Sequence, residues 1–153
     1  MKYLYSELWN ADPNDKEAET NWEKQSNLAW DDYKTVVHRL PRNFVKVYEY
    51  DGFHDYIIKS FTVEMNTLKR RPKYNGVLRL ANYDGTMEIL IILCHVFSVK
   101  TDFAFEKGWE PEWLYSEILP VDDRLISLEI YATSGTIYVE FEKLIFKKTA
   151  IKL

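Results

Sequence analysis

The chain holds a single cysteine, Cys94, which excludes an internal disulfide framework and any multi-cysteine zinc site. Three histidines leave little from which to build a histidine metal centre. Its five glycines, at 52, 76, 85, 108 and 135, fall in neither GxGxxG nor GxxxxGK spacing, so no phosphate-cradling loop is encoded. HExxH, GxSxG and DxDxDG are absent as well. The acid pairs Asp31-Asp32 and Asp122-Asp123 each lack a third ligand at metal spacing. The longest apolar run, 89–94, is far too short to span a bilayer. Met1-Lys2-Tyr3 opens no signal peptide, because Glu7, Asn10 and Asp12 follow at once. The expectation is a cytoplasmic protein with no cofactor, no metal and no membrane contact. No residue stands out as catalytic.

What the chain does have is a globular composition over 153 residues, 46% apolar and 29% charged, enough for one domain, 1–153, with a real core. Its 5 Trp, 11 Tyr and 8 Phe are too many rings for the core alone to explain without asking which reach the surface. The net charge of −4 hides opposed local fields. Residues 12–32 and 102–123 are strongly acidic, whereas 68–80 carries Lys69, Arg70, Arg71, Lys73 and Arg79 with no acid. Such fields select partners rather than folds.

Asp12-Pro13 reads as a helix start, an acidic N-cap followed by proline where no N–H is needed. Ala18, Trp22, Ser26, Ala29, Tyr33, Val36 or Val37, and Leu40 recur at steps of three and four. This predicts one long helix over 13–40, packing a Trp22, Ala29, Tyr33 and Val37 face on a sheet. Pro41 stops it and opens a shorter helix through Phe44, Val45 and Tyr48, ended by Asp51-Gly52. The period then changes to two. Strands are predicted over 57–65, 77–81, 87–99, 125–132 and 136–146. Ile89 to Leu93 is apolar on both faces, which predicts a central, doubly covered strand. Leu144 and Phe146 fall out of phase with Ile137, Val139 and Phe141, which predicts a bulge near Glu142-Lys143. The plan is α+β: a long and a short N-terminal helix packed on an antiparallel sheet.

Side-chain constellations are sparse. His54-Asp55 can supply a base, but as neighbours on a strand they would face opposite ways. They are more simply a tie between turn and strand. Cys94-His95 fails as a nucleophile–base pair for the same reason, leaving Cys94 a small buried hydrophobe and His95 a satisfied core histidine. The loop Lys69-Arg70-Arg71-Pro72-Lys73-Tyr74 could touch phosphates, yet the acidic whole argues for a solvated hairpin and against a nucleic-acid partner. The segment 103–118 interleaves acids with rings. It reads either as an aromatic connector under the sheet or as an interface of aromatic anchors in an acidic surround. On the second reading Glu106, Trp109, Glu110, Glu112, Trp113 and Glu117 bind the partner.

Phe53-His54-Asp55, an alternating strand, a hairpin, then Trp113-Leu114-Tyr115-Ser116-Glu117-Ile118 and two final strands form a pattern across 41–148. It resembles uncharacterised small Firmicutes proteins with an FHD start to the first strand and a late WLYxEI element. More loosely, it is similar to immunity proteins of bacterial polymorphic-toxin systems. The resemblance implies a bacterial, non-enzymatic interaction protein, an immunity-type inhibitor of a basic protein partner, and it carries no catalytic residue. Two other readings stand beside it: a small enzyme with a site near His54/Asp55, and a small-ligand binder with an aromatic-lined cavity between helix and sheet.

Overall fold

The computed structural model of the chain describes residues 1–4, 11–66, 70–104, 107–108 and 110–152. It is an α+β fold. Helix α1 spans Lys16–Val36 and runs into a 3₁₀ turn, Val37–Arg39; α2 spans Arg42–Tyr50. The strands are β1 Ile57–Asn66, β2 Lys73–Ala81, β3 Met87–Cys94, β4 Ser98–Thr101, β5 Trp113–Pro120, β6 Ile126–Ala132, β7 Gly135–Phe141 and β8 Lys143–Ala150.

The long helix begins at Lys16, three residues later than Asp12-Pro13 predicts, because Asp15 is the N-cap. Its carboxylate accepts the backbone N–H groups of Glu17 at 2.9 Å and Ala18 at 3.4 Å. Asp12 and Pro13 form a turn ahead of it, in which the Asp12 carbonyl accepts Asp15 N–H. Tyr33 and Val36 are the buried residues of α1, with Val37 partly covered. Pro41 sits in an extended conformation between the helices and serves as the N-cap position of α2.

The strands form two antiparallel four-stranded sheets, not one. Their orders are β1-β2-β3-β8 and β4-β7-β6-β5. The inner face of the first sheet presents Leu80, Ile89, Leu78, Ile91, Leu93 and Leu144, all nearly or wholly inaccessible. The inner face of the second presents Ile118, Ile126, Leu128, Ile130, Val139 and Phe141. Each such aliphatic side chain contributes roughly 1.5–3 kcal/mol by leaving water. The partner that covers the inner face of the first sheet is therefore a second sheet, and not the long helix that the sequence predicts on it.

Two sequence expectations change with this. Residues 87–99 are not one strand: β3 ends at Cys94, His95 takes a left-handed φ of 56°, and β4 belongs to the other sheet. Likewise the phase slip near Glu142 is not a bulge but the point where the chain leaves β7 for β8. The two crossings lie side by side, with Glu142 N–H donating to the Cys94 carbonyl at 3.1 Å and Phe97 N–H to the Glu140 carbonyl at 2.8 Å. His95 Nδ1 pairs with Glu142 Oε2 at 2.9 Å, and Arg124 holds the other carboxylate oxygen. His95 is thus a satisfied histidine, but of the corner rather than of the core.

Cys94 lies in the row of Glu64, Asn75 and Lys143 on the outer face of the first sheet and is only half-buried. Burial still pushes its thiol pKa up. Helix α1 lies on β5, its Trp22 meeting Tyr115 edge-on at 5.7 Å. Tyr115 pairs with Tyr131, in the rows opposite to the core, so α1 lies on the outer side of β5, the edge strand of the second sheet. Among the described residues no element covers the outer face of the first.

Candidate functional site

The segment 113–118 is where sequence and structure part most. Trp113 opens β5 and is wholly buried, its ring tilted against that of Phe53 at 5.1 Å. Its backbone N–H donates to the Tyr56 carbonyl at 2.8 Å. The register of β5 on β6 slips between Trp113 and Tyr115. That irregularity reverses the alternation, so Trp113 and Ile118 point inward while Tyr115 and Glu117 point outward. Glu117 is nevertheless only 2% exposed, because residues 1–4 lie over it. Its carboxylate accepts the backbone N–H groups of Lys2 and Tyr3, each at 2.9 Å, and that of Leu4. Neither Trp113 nor Glu117 is available to a partner, which corrects their placement on an interface. Glu110 is exposed and Glu112 half-buried beside Thr133. Glu106 and Trp109 lie outside the described residues. The four described positions do not form one patch.

A different group of rings does reach the surface. From the core outward, Trp113 touches Phe53, Phe53 touches Phe44 at 5.6 Å, and Phe44 stacks on Tyr48 at 5.5 Å. Tyr48 meets Tyr33 at 5.3 Å, and Tyr33 meets Trp30 at 5.0 Å. Trp30 is 40% exposed. This chain of rings ends in a cleft of about 370 Å³ between α1, the end of α2 and β5. Trp30, Tyr33, Tyr48 and Tyr115 wall it, with His54 at one side and Glu117 at its base. That size is at the lower end of small-ligand sites.

The polar groups of the cleft are largely committed. Tyr33 Oη donates to Glu49 Oε1 at 3.2 Å, and Tyr48 Oη donates to the Ser116 carbonyl at 3.3 Å. Burial pushes the Tyr48 hydroxyl pKa up to about 12, and burial with the Glu49 carboxylate raises that of Tyr33 further. Both stay neutral at physiological pH. His54 and Asp55 do pair, Nδ1 to Oδ1 at 2.8 Å, against the expectation of opposite faces. They lie in a turn, not a strand, with left-handed φ at Gly52, Phe53 and Asp55. The Asp51 carboxylate accepts Phe53 N–H at 3.0 Å and fixes that turn. The His54 ring stands edge-on to Tyr115 at 5.9 Å.

A histidine oriented through Nδ1 can exchange a proton at Nε2. Here, however, His54 is 48% and Asp55 70% exposed, so the pair is well solvated and weakly coupled. Among the described residues no three His, Cys, Asp or Glu are grouped to hold a metal ion. No helix among them is long and apolar enough to cross a membrane.

No protein-family model, curated protein or solved structure gives a significant match to the chain.

The cleft was partly legible in the sequence. Tyr33 and Tyr48 sit on the helical stripes, where spacing marks them as core. Trp30 precedes Tyr33 by three residues, off the stripe, and an exposed-face tryptophan beside a core tyrosine is the one signal that could have marked the mouth. Nothing local shows that Tyr115 would join them from 80 residues away.

Proposed function

We propose that the chain is a non-enzymatic interaction protein whose aromatic cleft receives a basic side chain of a protein partner. The observation that supports this is the coincidence of the cleft with acidic surface. Glu23 lies two turns before Trp30 on the same side of α1, Asp51 lines the cleft itself, and Glu49 and Asp55 bond to its lining residues Tyr33 and His54. A guanidinium or ammonium over exposed rings is attracted by their faces, most strongly by tryptophan, and carboxylates nearby speed its approach. Lys34 Nζ already stands 6.0 Å from the Trp30 ring centre, a loose internal version of the same contact. An immunity-type inhibitor is the specific form of this reading, with the partner a basic toxin.

Chemical-shift mapping with short peptides tests it, each peptide presenting one Arg, Lys, Phe or Asp in a common neutral context. The Arg and Lys peptides should shift the Trp30 indole and the Gly52 amide, added salt should weaken them, and Trp30→Ala should remove the response. An Asp peptide that binds as well as the Arg peptide would sink the proposal. The cleft volume favours a second reading, a small uncharged aromatic ligand. On that reading Glu23→Gln leaves binding unchanged; on the first it slows association.

A further inference from the structure

One surface remains that the cleft does not use. Strand β3 is apolar on both sides, yet only Ile89, Ile91 and Leu93 face the core. Its other side, Leu90 and Ile92, joins Val77 of β2 and Ile145 of β8 on the outer face of the first sheet, all only half-buried. Thr62, Val77, Ile92 and Ile145 form one continuous row across the four strands. A strand covered on one face only is normally polar on the other. The sequence of β3 is that of a strand covered on both.

We propose that this face is covered by the same face of a second copy, through a two-fold axis running parallel to the strands between β2 and β3. Charge selects this arrangement. A face-to-face two-fold pair can place its axis along the strands or across them. Across the strands, β8 lies over β8, and Lys143 and Lys147 of one copy meet those of the other. Along the strands, β8 lies over β1 and each row lies over itself reversed. Lys143 then stands over Glu64, which shares its row; in the next row Lys147 stands over Ser60 and Arg79, already paired with Glu88, over Leu90. At the centre Val77 lies over Ile92, and Ile145 over Thr62. Each contact occurs twice, as an isologous interface requires. Aligned sheets cross at about 30°, which keeps the central row in contact and rotates only the ends.

The face is four strands wide, roughly 20 Å, and small for a stable interface. The dimer is therefore weak. Its other side, with α1 and the cleft, stays open on both copies.

Sedimentation equilibrium from about 10 µM to about 1 mM covers the range in which so small an interface associates. The expected result is a reversible monomer–dimer equilibrium. Ile92→Lys places an unpaired charge at the centre and should abolish it; the position is half-exposed in the monomer, so the thermal melt should hold. Glu64→Lys sets two like-charged pairs across the interface and should weaken association by about tenfold. Glu64→Lys with Lys143→Glu should restore it. A chain that is monomeric throughout this range overturns the proposal and leaves the face to a partner of another kind. A dimer that survives Ile92→Lys, or a double reversal that does not recover, overturns it equally.

Discussion

Replacing Trp113 by alanine decides how the 103–118 segment works. The ring is wholly buried, packs on Phe53 at 5.1 Å and sits at the inner end of the ring chain through Phe44 and Phe146. Truncation leaves a cavity about the size of an indole, and large-to-small changes of this kind cost about 3–5 kcal/mol. For a domain of this length each kcal/mol corresponds to a melting shift of roughly 2–4 °C. The expected fall is therefore about 6–20 °C. Trp113→Phe should cost much less, because the phenyl ring refills most of the space. It also removes an indole N–H that is buried with no hydrogen-bond partner among the described residues. The assay is a thermal melt followed by near- and far-ultraviolet circular dichroism on all three proteins. A Trp113→Ala melt within a few degrees of the parent would refute the buried placement and return this ring to the surface.

Glu117→Gln removes the charge that holds three consecutive backbone N–H groups and sets an amide N–H against them. Hydrogen bonds to a charged group contribute about 1.5–3 kcal/mol each, so residues 1–4 should detach and their amides lose protection in hydrogen exchange; unchanged protection would contradict this. Gly135 has φ +127°, and a Cβ there would lie 2.9 Å from the Asp102 carbonyl oxygen. Gly135→Ala should lower the melting temperature, whereas Gly85→Ala, with open space around it, should show only the backbone cost of its φ. The Asp102 carboxyl is held below the ordinary carboxylate range by the N–H and hydroxyl of Thr136, and that of Glu142 by His95 and Arg124. Depressed carboxyls stabilise the fold above their unfolded values and lose that contribution as pH falls through the folded ones. Stability should be flat from neutral pH down to about 5 and fall below about 4; in Asp102→Asn the acid-side slope should be shallower. Cys94 should react slowly with thiol reagents at neutral pH, since burial raises its pKa, and rapid labelling would count against that.

Helices and strands were legible where periodicity is local. The stripe of α1, the stop at Pro41 and the change of period after Gly52 all follow from neighbours within a few residues. Pairing was not. Whether β3 continues into β4 or hands over to another sheet depends on β7 and β8, some 40 residues on, and the sequence shows only a lost phase at Glu142. The face of Trp113 was illegible for a related reason: one slipped register inside β5 reverses every later side chain. His54 and Asp55 were assigned opposite faces by a strand rule in a place where left-handed turns apply.

The nesting of the strands has a consequence for how the chain assembles. The whole second sheet, with the loops on it, is inserted between β3 and β8, and Cys94 and Lys143 at the two ends of that insertion are direct register partners. Closing a loop of that length from an open chain is entropically costly. Once Val99 has paired with Val139, however, the ends are already together, and β8 can zip along β3 from Lys143 outward. The inserted sheet thus acts as the turn of a very long hairpin. On this account Leu144→Ala should hasten unfolding while hardly slowing refolding, and the converse pattern in stopped-flow kinetics would show that β8 joins first.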